Sequence, residues 1–233
     1  MLLVGTVVVT TAVAQSQSPD ASQSPAASQA VPRPAAAKPR WQSLWDGKNL
    51  ELTGQTPGRW QVADQEEFAE HGKVHIDQEN LMLERGYPAT GVRWSGPFPR
   101  CNYELELEAK RTDGSDFFCG LTFPVGDGSL TLITGGWGGW AVGLSCINGE
   151  YAIDNETCTV VQFQQDRWYS LRLRVTDRLV KVWIDGKPLV HLDTEGKELI
   201  ISDRMEPCLP LGLATWYTTG AVRKIRYRVL EEK

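Results

Sequence analysis

Between Tyr103 and Lys110 the chain alternates without a break, with Tyr103, Leu105, Leu107 and Ala109 on one parity and Glu104, Glu106, Glu108 and Lys110 on the other. That period of two predicts a β-strand with one face in the core and one in water. Its register is tightly specified, because a slip of one residue would bury three carboxylates. The pattern recurs. Leu81 and Leu83 alternate with Met82 and Glu84, and Tyr169, Leu171, Leu173 and Val175 alternate with Ser170, Arg172 and Arg174. A turn at Thr176, Asp177 and Arg178 leads to Val180, Val182 and Ile184, after which Asp185 and Gly186 form a favoured hairpin pair. Near the end, 209–216 and 222–230 are expected to pair as a last hairpin, with Ile225, Tyr227 and Val229 facing one way and Lys224, Arg226 and Arg228 the other. Before the C-terminal third, only 64–72, DQEEFAEHG, reads as a helical turn. Many short strands at regular spacing predict an all-β fold, a two-sheet antiparallel β-sandwich or jelly roll.

The N-terminal region breaks this pattern. Residues 2–13 are apolar and run into Ala12, Val13 and Ala14, a small-x-small site, so 1–14 are expected to be a signal peptide, with only the amino terminus supplying its positive charge. The apolar run is shorter than the roughly 20 residues that span a bilayer, which argues against a transmembrane domain. From 15 to 40 the chain is Ser, Gln, Ala and Pro with almost no large apolar side chain, the composition of a disordered linker. The sandwich domain is then 41–233, and the protein is expected to be secreted or periplasmic.

Charge and cysteine content narrow the partners. The whole chain carries a formal net charge of -5, and residues 1–40 hold Arg33, Lys38 and Arg40 against Asp20, so the folded remainder is more acidic still. No nucleic acid partner is expected, since phosphate binding calls for a basic face. Five cysteines in an exported chain leave at least one unpaired. Cys146 closes one apolar run and Cys158 opens the next, which makes them the candidate disulfide; Cys101, Cys119 and Cys208 read as buried free thiols. There is no Cys/His spacing of the zinc type.

The stretch 113–156, DGSDFFCGLTFPVGDGSLTLITGGWGGWAVGLSCINGEYAIDNE, looks most like a site, because three strand-like runs are joined by turns rich in Gly, Asp and Trp. Asp116, Glu156 and His191 are the candidate catalytic groups, and Trp137, Trp140, Asp127 and Asp154 the candidate substrate-binding groups. Each has a plainer alternative. Asp127 lies between Gly126 and Gly128 as in an ordinary hairpin turn, Asp116 could close a turn, and His191 could be a surface histidine. Asn155, Glu156 and Thr157 have the form of a glycosylation sequon, or of a simple polar loop. The two tryptophans of the Gly-rich turn have no obvious core to fill, although tryptophans also cap the ends of sandwiches.

SLWDGKNL at Ser43, RWYSLRLRV leading into VKVWIDGKPL, and the closing LGLATWYTTGAVRKIRYRVL resemble the 3-keto-disaccharide hydrolase family, over essentially 41–230. That resemblance implies a concanavalin-like jelly roll, a carbohydrate ligand or substrate, and a hydrolase of 3-keto-disaccharides or related glycosides. Where many members carry an Asn-Ser-Gly turn and a polar Glu-x-Gln-x-x-Asp strand, this chain has Asp116 near the Asn position and apolar Ala141, Val142 and Leu144 along the strand. No catalytic residue transfers directly, so a non-catalytic carbohydrate-binding module or a structural extracellular sandwich stands beside the enzyme. A 3-keto sugar has an acidified proton on C2, and cleavage by its removal needs a base, a group or metal to hold the enolate oxygen, and an acid near the leaving group. The cofactor is unknown; a divalent metal is compatible with that chemistry but no ligand spacing indicates one. The oligomeric state is unknown.

Overall fold

The computed structural model of the chain describes residues 8, 10–12, 39–51, 58–63, 68 and 70–231. The chain divides into two units, Met1–Ala37 and Lys38–Lys233. The expected leader at 1–14 and linker at 15–40 lie outside the described residues, save Val8, 10–12, Pro39 and Arg40. Among the described residues, no helix is long and apolar enough to cross a membrane.

The regular structure of the second unit is nearly all strand. In chain order these are β1 (Gln42–Ser43), β2 (Leu50–Glu51), β3 (Trp60–Val62), β4 (Val74–Asp77), β5 (Asn80–Leu83), β6 (Ala89–Trp94), β7 (Tyr103–Gly114) and β8 (Cys119–Val125). There follow β9 (Gly128–Gly135), β10 (Ala141–Ser145), β11 (Thr159–Val160), β12 (Tyr169–Val175), β13 (Leu179–Ile184), β14 (Lys187–Asp193), β15 (Gly212–Trp216) and β16 (Thr218–Val229). They form two sheets. The first runs β14-β13-β12-β7-β16-β5-β4, with β1 on the far end of β16; the second runs β11-β10-β9-β8-β15-β6-β3-β2. Every pairing between these strands is antiparallel except β2 with β3. This is the expected two-sheet sandwich.

Alternation explains the packing. Tyr103, Leu105, Leu107 and Ala109 of β7 meet Leu171, Leu173 and Val175 of β12 in the core, where they face Leu121, Phe123, Leu130 and Leu132 of the second sheet. Each fully buried Leu or Phe contributes roughly 1.5–3 kcal/mol, so about ten such residues outweigh any surface ion pair in setting the register. The opposite face of the first sheet is a ladder of charges. Glu104, Glu106 and Glu108 stand across from Arg174, Arg172 and Ser170 on β12 and from Arg228, Arg226 and Arg223 on β16. Arg174 and Arg228 each donate to Glu104, at 2.7 and 2.6 Å, and close over it so fully that it is completely buried rather than wet. Trp41 lies under the guanidinium groups of both Arg226 and Arg228, and Trp168 under that of Arg223.

Two expectations need correction. The last hairpin is not formed, because β15 pairs with β6 and β8 in the second sheet while β16 pairs with β7 and β5 in the first. Tyr217, at φ 45°, turns the chain between the sheets. Cys146 and Cys158 are both free thiols, as are Cys101, Cys119 and Cys208, so the expected bridge is not made. Cys146 is instead drawn to the Ile200 backbone, with which it exchanges two hydrogen bonds, while the Cys158 amide closes a turn on Asn155. Of the expected helical turn at 64–72, residues 64–67 and 69 lie outside the described set; Phe68 is buried, and Glu70 forms a bridge to Tyr87.

Candidate functional site

The face of the second sheet that points away from the core is built of small residues: Gly120 and Thr122 on β8, Thr131 on β9, Gly143 and Ser145 on β10, and Gly212 and Ala214 on β15. Two loops without regular period lie on it. The first, 146–158, rests so close that a Cβ at Gly143 would come within 3.1 Å of Ala152; the second, 198–211, contains the 3-10 segment Asp203–Cys208, and a Cβ at Gly212 would meet the Cys208 carbonyl at 2.3 Å. At Gly212 only glycine allows that approach, and at Gly143 a larger residue would push the loop outward. Between the loops remains a cavity of about 310 Å³. Thr131, Ile133 and Ser145 form its floor, and Asp116, Trp137, Tyr151, Arg204 and Trp216 stand around it.

The wall groups are positioned by hydrogen bonds at Asp116 and by a ring contact at Arg204 and Trp216. Asp116 Oδ1 accepts the Phe117 amide at 2.7 Å, and the Asp116 amide donates to Thr218 Oγ1, so the carboxylate is fixed before β8 begins. Trp137 rides on the turn Gly136–Gly139 at φ 49°, over a third exposed. Beneath both turns lies Arg111, nearly buried, whose guanidinium donates to the Asp116, Gly139 and Phe163 carbonyls. Its Nε is buried without a partner. Burial pulls the Arg111 pKa below its ordinary value, while Tyr169 and Asp116 push it back up. Tyr151 is set by Asn155, whose Nδ2 donates to the carbonyls of Leu144, Glu150 and Tyr151 and whose Oδ1 accepts from Thr157. The Ala152 amide adds a bond to Ser145 Oγ at 2.8 Å. Arg204 lies 5.2 Å from the ring of Trp216, and that ring stacks on Phe117.

A family model described as the 3-keto-alpha-glucoside-1,2-lyase-like domain matches residues 40–228, most of the chain and all of the cavity. The chain belongs to this family. This member of the lyase-like family is similar in fold to many solved structures. One is the Crh5 transglycosylase in complex with NAG, at 14% identity and TM-score 0.53, covering 84% of this chain and 86% of that one. Another comes from endo-acting O-glycanases that prominent members of the human gut microbiota express to initiate mucin breakdown, at 15% identity and TM-score 0.50, covering 82% and 99%. A carbohydrate binding module, CBM66 from Bacillus subtilis, aligns at 12% identity and TM-score 0.46 over 72% and 94%. At these identities the likeness is one of fold. No curated protein matches the sequence.

Of the residues singled out by sequence, this family member brings Asp116 and Trp137 together in the cavity. Trp140 ends the Gly-rich turn half-buried, tied to the Gly136 and Val161 backbone, and does not line it. Asp127 is exposed in the β8–β9 hairpin, at the far end of a seven-residue strand and so more than about 20 Å from Asp116. Asp154 is exposed and its amide closes a turn on the Tyr151 carbonyl. Glu156 is paired with Lys197 at 2.5 Å, and that bond holds its carboxyl below the ordinary range. His191 lies on the edge strand β14 of the first sheet, opposite Lys181, away from the cavity. Asn155 is buried and its Nδ2 is engaged three times, which closes the sequon reading for the folded chain. Among the described residues, no group of three or more His, Cys, Asp or Glu is placed to hold a metal ion. Tyr151, Arg204 and Trp216 were not foreseen.

Proposed function

We propose that this is an exported protein, led by 1–14 and tethered by 15–40, that binds 3-keto-glucosides in the cavity and cleaves them by elimination across C1 and C2. The observation that carries the reading is that Asp116 is the one carboxylate among the described cavity residues, facing a space shared with Arg204. Hydrolysis by direct displacement uses two carboxylates flanking the glycosidic bond. Elimination needs one base and one oxyanion partner. In this scheme Trp137 and Trp216 take the apolar faces of the sugar, and Asp116 accepts the proton from C2. The C–H electron pair moves to the C3 carbonyl oxygen, where the Arg204 guanidinium stabilises the enolate. Its return expels the C1 oxygen, which takes a proton from the Tyr151 hydroxyl, leaving a C1–C2 double bond conjugated to the ketone. Addition of water to that bond gives the net hydrolysis.

A second reading, a carbohydrate-binding module without turnover, is favoured by one feature. Ala141, Val142 and Leu144 stand where the family's polar strand would lie, and all three are buried. Turnover of p-nitrophenyl 3-keto-α-glucoside separates the two. The parent is expected to release p-nitrophenolate, and Asp116→Asn to lower kcat by about 100-fold or more with KM little changed. Binding of the compound with no release by the parent would establish the module instead.

A further inference from the structure

We infer that the cavity continues outward over Tyr217 and Tyr87 as a further sugar subsite, so that the ligand is a glycan longer than a disaccharide; this rests on the carbohydrate reading above. The rings form a row. Phe117 and Trp216, in the cavity wall, stack with centroids 6.0 Å apart, and the contacts run on edge to face, Trp216 to Tyr217 at 5.9 Å and 89° and Tyr217 to Tyr87 at 5.9 Å and 77°. The guanidinium of Arg85 lies 5.5 Å from the centre of the Tyr87 ring and ends the row with donors suited to hydroxyl groups.

Packing does not account for this arrangement. Tyr87 is 52% exposed and Tyr217 41%, so neither ring returns much by burial. Tyr217 moreover holds φ at 45°, a conformation that glycine or asparagine takes more easily and that costs a large aromatic residue. Its backbone is pinned all the same, because the Tyr217 amide donates to the Pro88 carbonyl at 2.7 Å. Tyr87 is pinned by the pair of bonds it exchanges with Glu70. Two exposed rings on backbone held in place from behind, braced edge to face against each other and continuous with a cavity that already presents aromatic walls, form a preorganised aromatic rim on which the apolar face of a further sugar can rest. The tryptophans Trp41, Trp168 and Trp183 on the first sheet are covered more closely, by guanidinium groups 4.7, 4.0 and 4.1 Å from their ring centres, against 5.2 Å at Trp216 and 5.5 Å at Tyr87.

The test compares kcat/KM for maltose and maltotetraose, each oxidised to the 3-keto form at the non-reducing unit, in the parent, Tyr87→Ala and Tyr217→Asn. Asparagine keeps the left-handed backbone at 217 accessible, and melting curves check that both variants fold. The parent is expected to favour the tetrasaccharide by about five-fold or more, and each variant to lose that preference while cleaving the disaccharide as the parent does. Equal rates on both substrates in the parent, or a preference that survives both variants, would overturn the subsite and leave the cleavage reading standing. No turnover of either substrate by the parent would overturn both.

Discussion

Glu104 is wholly buried yet charged, which makes it the most demanding single residue of the sandwich. Burial alone would raise its pKa; the hydrogen bonds from Arg174 and Arg228 overcome that and hold it below the ordinary 4.5. A folded-state pKa that is depressed contributes stability above the unfolded value and loses it as pH falls through the folded one. Glu104→Gln is therefore expected to destabilise by about 2 to 3 kcal/mol near neutral pH, somewhat less than for a fully enclosed pair because Arg174 is 41% exposed and can rehydrate. In urea unfolding the difference between parent and variant should shrink as pH drops below 4.5. A gap independent of pH would mean that the loss is one of shape, not charge. The sequence gives the facing of this residue correctly and its exposure wrongly. Parity is a property of one strand, whereas burial here depends on two arginines, 70 and 124 positions away, that close over it.

At the scale of elements, the loop 146–158 decides where the cavity lies. It leaves β10 at the end shared with the β8–β9 hairpin and folds back across the sheet, which brings Tyr151 to the cavity and leaves Asp154 and Glu156 outside. Consecutive turns of an antiparallel meander alternate between its two ends, so the turns bearing Asp116 and Trp137 meet while the one bearing Asp127 cannot. That geometry is readable from strand order. The return of the loop is not, because it depends on Asn155 and on the room above Gly143. Asn155→Ala should take their side-chain partner from the Leu144 carbonyl and the Thr157 amide, cost about 2 kcal/mol and lower Tm by about 4 to 8 °C, with turnover falling further than the loss of folded protein explains. A variant that melts lower but turns over at the parent's rate would detach this loop from the site.

For the whole molecule, the period of two carried the fold: the strands whose parity was marked, β7, β12, β13 and β5, lie where alternation placed them. The corner at Tyr217 escaped it, since alternating runs read alike whether they pair or cross between sheets. Tyr151 and Arg204 escaped it as well, because they lie on segments without periodicity. Trp216 left a trace: Gly212, Ala214 and Trp216 share one parity of β15, two small residues and then a large ring, the mark of a strand face that something else must cover. In the proposed reaction Asp116 removes the C2 proton from a sugar held in this cavity. Cleavage of a 3-keto-α-glucoside in D2O, with a control lacking enzyme to correct for spontaneous exchange, tests it most directly. The expected product carries deuterium at C2, or is the unsaturated ketone that has lost the C2 hydrogen, and Asp116→Asn forms it about 100-fold more slowly than the parent or not at all. Product that retains its original C2 proton would contradict it.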